Sequence, residues 1–435
     1  MSRKKDMYID YKRSFKKRGR RRSKLLPTII LSVLITGLLA GAGYSIWIRI
    51  DANAKEKNSE EIQGLKPSDN EQPQPIVTVS PTPSLPPTLP PAMEDAVEAM
   101  QSRVPVKVKG IYVTSAIAGS KRLEDLIALT DTTEINTMVI DIKDDTGKIT
   151  FQMDSPLAKE IEATTNTIKD IESFVKDLKS RDIYLIARIV AFKDPYLADK
   201  RKELAIRRQD GSIYLDNNGE GWVNPYNHEV WEYLIEVASQ AAAVGFDEVQ
   251  FDYIRFSTGG DIAKADFGKE AEEKSKEDII LEFTKYAYEK LKPLGIYVSA
   301  DVYGTIISSS IDAGLVGQNY VEMAKYLDYI CPMIYPSHFG EGNYGIEYPD
   351  LEPANIIRKA LTASKEKLDQ IPKDEHRAIV RPWLQDFTAT WIKPHMEYGG
   401  DELREQIEGV YSAGYDEWLI WNAACRYSVD GLLEE

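Results

Sequence analysis

Cysteine and histidine are scarce in this 435-residue chain, with two of the first, Cys331 and Cys425, and four of the second. The two cysteines make no metal-ligand or redox spacing. Both fall in or just after expected strands, so two buried free thiols are expected rather than one disulfide. His228, His338, His376 and His395 offer no HxxxH or HExxH spacing, which disfavours a zinc hydrolase or a metal-dependent polysaccharide deacetylase. No GxSxG elbow is present, which argues against serine-hydrolase chemistry. No Gly-rich turn follows the first expected strand, where Thr114-Ser115-Ala116-Ile117-Ala118-Gly119 stands, so a doubly wound nucleotide-binding sheet ranks lower. Neither a metal nor a cofactor is expected. Positive charge is also short: beyond residue 50 there are 41 Lys and Arg against 67 Asp and Glu. So acidic a body repels a phosphate backbone, and no nucleic-acid partner is expected.

The N-terminus is the exception. Residues 1–24 carry twelve Lys and Arg against two Asp, with Lys16-Lys17-Arg18 and Arg20-Arg21-Arg22 as the densest part. Such a tail could bind nucleic acid, but an apolar run follows at once, so it reads as a cytoplasmic stop-transfer cluster. Leu25–Ile48 has 24 residues without a charge. At about 1.5 Å per helical residue it exceeds the roughly 30 Å of a bilayer core. Ala40-Gly41-Ala42 offers a cleavage site, yet the apolar run continues past it, which favours an uncleaved anchor over a signal peptide. Residues 49–91 form a linker that ends in QPQPIVTVSPTPSLPPTLPP, an extended polyproline spacer. The expected protein is single-pass in the cell membrane, with its N-terminus cytoplasmic and its body extracellular.

Residues 92–435 alternate strand-like and helix-like patterns. Strands are expected at Val106–Ser115, Asn136–Asp144, Ile183–Phe192, Asp247–Phe256, Ile296–Tyr303, Tyr329–Tyr335, Ala378–Gln385 and Glu417–Asn422, with seven helices between them. Eight parallel βαβ-type repeats predict an α/β fold, a closed (β/α)₈ TIM barrel. Long strand-to-helix loops, as at 193–227 and 304–319, gather on the C-terminal face, where such barrels place their chemistry. Thirteen residues after Asn422 are too few for a confident eighth helix, and Ala92–Gln101 is expected to fill that gap.

Reading each strand at period two directs polar side chains inward. The fourth strand, in GFDEVQFDYIRF, presents Glu248, Gln250 and Asp252 opposite Val249, Phe251 and Tyr253. The other strands add Asp141 and Lys143, Arg188, Asp301 with Tyr303, Tyr335 followed by His338, Arg381 with Trp383, Gln385 and Asp386, and Trp421-Asn422. Carboxylates, amides and aromatics converging on one mouth suit a glycan, and glycoside hydrolysis needs two carboxylates. Asp252 is the expected nucleophile and Asp301 the expected proton donor, with Asp141 and Asp386 in reserve. Arg188, Trp222, Gln250, Arg255, Tyr303, Tyr335, His338, Arg381, Trp383, Gln385, Trp421 and Asn422 are the expected substrate contacts. The opposing possibility is a buried ion-pair ring, Asp252 with Arg188 or Lys143, that only neutralises the barrel interior. Schiff-base chemistry at Lys143 is disfavoured by Asp141, Asp144 and Asp145 beside it.

Six motifs in order, VKGIYVTSAIAGS, INTMVIDIKDDTGKITF, YLIARIVAFKDP, GWVNPYN, GFDEVQFDYIRF and YICPMIYPSHF, resemble a bacterial glycoside hydrolase domain family long carried as a domain of unknown function. The resemblance covers roughly Val106–Ala424. It implies a TIM barrel distantly similar to the α-amylase clan, with Asp252 in a nucleophile-like place. Two departures stand out: Ser257 where the family has proline, and Asp301 where that clan has glutamate. The expected function is a membrane-anchored glycoside hydrolase acting on a polysaccharide. The alternative is a non-catalytic carbohydrate-binding barrel with a structural role at the cell envelope.

Overall fold

The computed structural model describes residues 106–434, Gly260 excepted. The basic tail, the apolar run Leu25–Ile48, the linker and the Ala92–Gln101 segment lie outside the described residues. Among the described residues, no helix is long and apolar enough to cross a membrane.

Eight parallel staves close on themselves. They are β1 (Lys109–Val113), β2 (Thr137–Lys143), β3 (Tyr184–Val190), β4 (Glu248–Asp252), β5 (Tyr297–Tyr303), β6 (Tyr329–Met333), β7 (Ile379–Val380 and Trp383–Gln385) and β8 (Trp418–Trp421). Each pairs with the next in parallel, and β8 pairs with β1 through Lys109↔Trp418 and Ile111↔Ile420. The predicted TIM barrel is therefore present. The seventh stave is in two pieces because Pro382 has no N–H to give the ladder. Its first piece pairs with β6 through Ile330↔Val380. Its second pairs with β8 and meets β6 only at Trp383↔Met333.

Helices α1 (Leu123–Thr132), α2 (Ile171–Lys179), α3 (His228–Ala243), α4 (Lys276–Leu291), α5 (Tyr320–Met323), α6 (Pro353–Leu368) and α7 (Gly400–Ser412) flank the staves. Their ends are written locally. Asn227 caps α3 by accepting from the Glu229 N–H, and Ser275 with Asp278 forms a capping box on α4. At the end of α3 the Phe246 N–H returns to the Ala241 carbonyl and the Gly245 N–H to that of Ala242. This closure needs a left-handed residue at 245, where φ is +102°, and glycine supplies it without strain. The chain then enters β4 at a fixed angle. Phe251, fully buried, meets Phe283 of α4 edge-on at 5.5 Å and contributes roughly 2–3 kcal/mol by burial.

Among the described residues no α-helix follows β8, only a 3₁₀ turn at Val429–Gly431. The C-terminal residues instead run from α7 to α1. Arg404 of α7 donates to the Gly431 carbonyl at 2.8 Å, and the Glu134 N–H donates to the Leu433 carbonyl at 2.9 Å. Cys331 and Cys425 are buried free thiols.

Candidate active site

The C-terminal ends of β3, β4, β5, β7 and β8 surround a cleft of about 470 Å³, a size suited to a small-molecule or sugar site. At its base Arg188 of β3 lies between two carboxylates. It donates from Nη1 to Asp141 Oδ1 at 2.5 Å, and from Nε to Asp252 Oδ2 at 3.1 Å with a second, closer bond from Nη2 to the same oxygen. Asp141 also accepts from the Tyr112 hydroxyl at 2.6 Å. Burial raises the proton affinity of Asp141, and the Arg188 charge opposes that rise. Asp252 Oδ1 accepts from the Tyr253 N–H at 2.6 Å.

Asp301 lies beside this cluster. The ladder pairs Phe251 with Ala300, so Asp252 and Asp301 are the next residues on adjacent staves. Asp301 is 2% exposed and its Oδ1 accepts from Trp383 Nε1 at 2.6 Å. Burial first, and the negative Asp252 second, push its carboxyl well above the usual carboxylate range, against the Trp383 bond and the Arg188 charge.

Aromatic rings wall the cleft. Trp421 stacks on Tyr112 at 4.1 Å and meets Trp383 edge-on at 5.7 Å. Arg255 stands over Tyr303 at 4.6 Å, Tyr253 at 4.8 Å and Trp222 at 5.1 Å, a cation held by faces. Tyr335 and His338 line the side formed by the loop after β6, with His338 on the exposed rim.

Nine of the expected residues meet here: Asp252, Asp301, Arg188, Arg255, Tyr303, Tyr335, His338, Trp383 and Trp421. Seven do not line the cleft. Asp141 sits behind Arg188 and orients it. Trp222 is buried under Arg255 and donates to Asp216 at 3.0 Å. Gln250 lies within the barrel and donates to the Cys331 thiol at 3.3 Å. Arg381 is fully buried on the floor, bonded to Glu248 and Glu417 at 2.9 Å, with Tyr329 at 3.7 Å under its guanidinium. Gln385 joins Ser337, Asp350 and the Phe387 carbonyl, so it ties loops together. Asp386 accepts from the Ser428 N–H at 2.9 Å and its hydroxyl at 2.7 Å, and Asn422 donates to the Asp386 carbonyl. Lys143 pairs with Asp194 at 2.7 Å, not with Asp252.

Tyr253 is the residue sequence reasoning misplaced. Strict alternation puts it on the outer face, but β4 ends at Asp252 and Tyr253 takes φ +50°. Holding a bulky side chain there costs roughly 1–3 kcal/mol. The reversal turns the ring into the cleft, edge-on to Trp222 at 5.7 Å, and aims the Tyr253 N–H at Asp252.

Residues 110–427 match the family described as "putative glycosyl hydrolase domain". The chain belongs to that family. No curated protein matches the sequence significantly. Among solved structures, a hypothetical protein from Ruminiclostridium thermocellum shares 40% identity, covering 44% of this chain and 97% of its own, with a TM-score of 0.41. The PgaB (BpsB) glycoside hydrolase domain from Bordetella bronchiseptica aligns over 74% of this chain and 95% of its own, at 14% identity and a TM-score of 0.52. The latter is a likeness of fold.

Proposed function

We propose that this family member hydrolyses glycosidic bonds in a polysaccharide, with Asp252 as nucleophile and Asp301 as proton donor. One observation carries the reading. Two carboxyl groups at adjacent stave ends open on one cleft in unlike surroundings, one bound by an arginine and the other raised in proton affinity by burial and a like charge. Trp383 fixes Asp301 Oδ1 as an acceptor, which leaves Oδ2 to carry the proton. Both Arg188 bonds fall on Asp252 Oδ2, so Oδ1 is the freer oxygen to attack.

In the first step Asp301 gives its proton to the glycosidic oxygen as that C–O bond breaks, and Asp252 Oδ1 bonds to the anomeric carbon. In the second, Asp301 takes a proton from water, whose oxygen displaces Asp252. Neighbouring staves lie roughly 4.7–4.9 Å apart. That spacing favours the retaining arrangement, about 5–5.5 Å between carboxyls, over the wider inverting one. Tail, apolar run and linker would hold the barrel outside the cell membrane.

The test is reducing-end release from a glycan panel by the full chain and by Asp252→Asn. Equal turnover by both removes Asp252 from the mechanism. A second reading, a sugar-binding barrel without turnover, draws on the same ion pair, because Asp252 is bonded through both oxygens. Glycan binding without any release by the wild-type chain would favour it. A reporter fused after residue 435 that is active only in the cytoplasm would overturn the orientation.

A further inference from the structure

Trp391, in the loop after β7, is 65% exposed although one face is covered by Phe387, whose ring stacks on it at 6.0 Å and 20°. Single exposed apolar side chains are ordinary. This one continues a row of rings that begins inside the cleft. Tyr335 and His338 line the cleft 5.2 Å apart, and Phe387 lies 5.9 Å from the first and 6.4 Å from the second. Trp391 therefore ends a row of aromatic rings that runs from the cleft lining to open surface.

The loop that carries Trp391 is tied down. Asp350 accepts from the Met396 N–H at 3.1 Å, the Tyr398 hydroxyl donates to the Asp350 carbonyl at 3.0 Å, and the Tyr398 N–H donates to Thr388 Oγ1 at 3.0 Å. Gln385 joins the same Asp350 from the end of β7. A large apolar ring on a braced loop loses little freedom on binding, which is what a stacking platform needs. Its uncovered face suits the apolar face of a pyranose. The exposed charges nearest in sequence, Lys393 and Glu397, are of opposite sign and favour neither a polyanion nor a polycation.

We propose that Phe387 and Trp391 form a distal binding track for an uncharged polysaccharide, seating pyranose units beyond the bond cleaved at Asp252 and Asp301. This rests on the glycan reading of the cleft. It makes the substrate a chain longer than the cleft holds, and the mode of attack internal.

Affinity electrophoresis of the full chain in nonionic detergent, through gels holding hydroxyethylcellulose, xylan, glucomannan or laminarin, tests it. Retention by at least one of these is expected to weaken about tenfold in Trp391→Ala, the loss of one stacking contact. Trp391→Phe should keep most of it, and Leu294→Ala, an exposed apolar control, all of it. Retention by none of the four, or equal retention of Trp391→Ala and wild type, overturns the proposal. Should Trp391→Ala fail a thermal unfolding check, the order wild type above Trp391→Phe above Trp391→Gln decides. Retention without reducing-end release would remove the catalytic reading and leave the track standing. Release without Trp391-dependent retention would do the reverse.

Discussion

Asp301→Asn isolates one proton. The substitution keeps an oxygen to accept from Trp383 Nε1 and removes only the charge that burial and Asp252 oppose. In the wild type the native carboxyl holds its proton well above the range where an unfolded aspartate, pKa about 3.9, has lost it. The native state then binds one more proton than the unfolded state, and stability falls as pH rises. The slope is about 1.4 kcal/mol per pH unit, fully favourable below the unfolded pKa and lost as pH climbs to the native one. Asp301→Asn has no such slope. The wild type should therefore be less stable relative to Asp301→Asn at about pH 7 than at about pH 5. Urea midpoints at both pH values measure it. Adding Asp252→Asn removes the neighbouring negative charge, so the slope should end at a lower pH. Parallel pH curves for wild type and Asp301→Asn would refute the raised proton affinity, and with it the assignment of Asp301 as the acid.

Two further substitutions separate framework from chemistry. Arg381→Met strands Glu248 and Glu417 on the barrel floor and should destabilise by about 3–5 kcal/mol. Burial already raises the proton affinity of Glu417, so the loss should shrink in acid, as thermal unfolding across pH would show. Asp386→Ala leaves the Ser428 N–H and hydroxyl without their acceptor and should cost about 1–3 kcal/mol. Turnover per folded molecule should not change, and a fall in it would place Asp386 in the mechanism after all.

The eight staves were legible because parallel strands in a barrel carry continuous apolar character and end at turn residues, and the whole run of α3, 228–243, follows from its cap and its spacing. What could not be read was depth. Period two says that Glu248, Gln250 and Asp252 share a face, but not that the first is on the floor, the second within and the third at the mouth. Gln385, Asp386 and Asn422 follow the same logic at the other end. They stand just past the mouth, where strands stop and a polar side chain more readily bonds a loop than faces the cleft. Tyr253 failed for a different reason. Its reversal depends on a left-handed φ that no neighbouring glycine or asparagine announces.

The misreading of Arg381 as a substrate contact shows what sets this mouth apart. Arg188 and Arg381 each hold two carboxylates, Asp141 with Asp252 and Glu248 with Glu417. By sequence they are the same object, an inward arginine among inward acids. By structure the lower group is closed under fully buried side chains, while the upper opens on the cleft and has Asp301 as a third, unmatched acid. One arginine already faces two acids in each group, and on the floor burial raises the proton affinity of Glu417. Asp301 adds a third carboxyl to such a group, burial and the Asp252 charge raise its proton affinity, and an acid beside a carboxylate is what glycosidic cleavage requires. On the proposed reading, that third acid, more than the arginine pair or the aromatic wall, is what separates the mouth from the barrel floor.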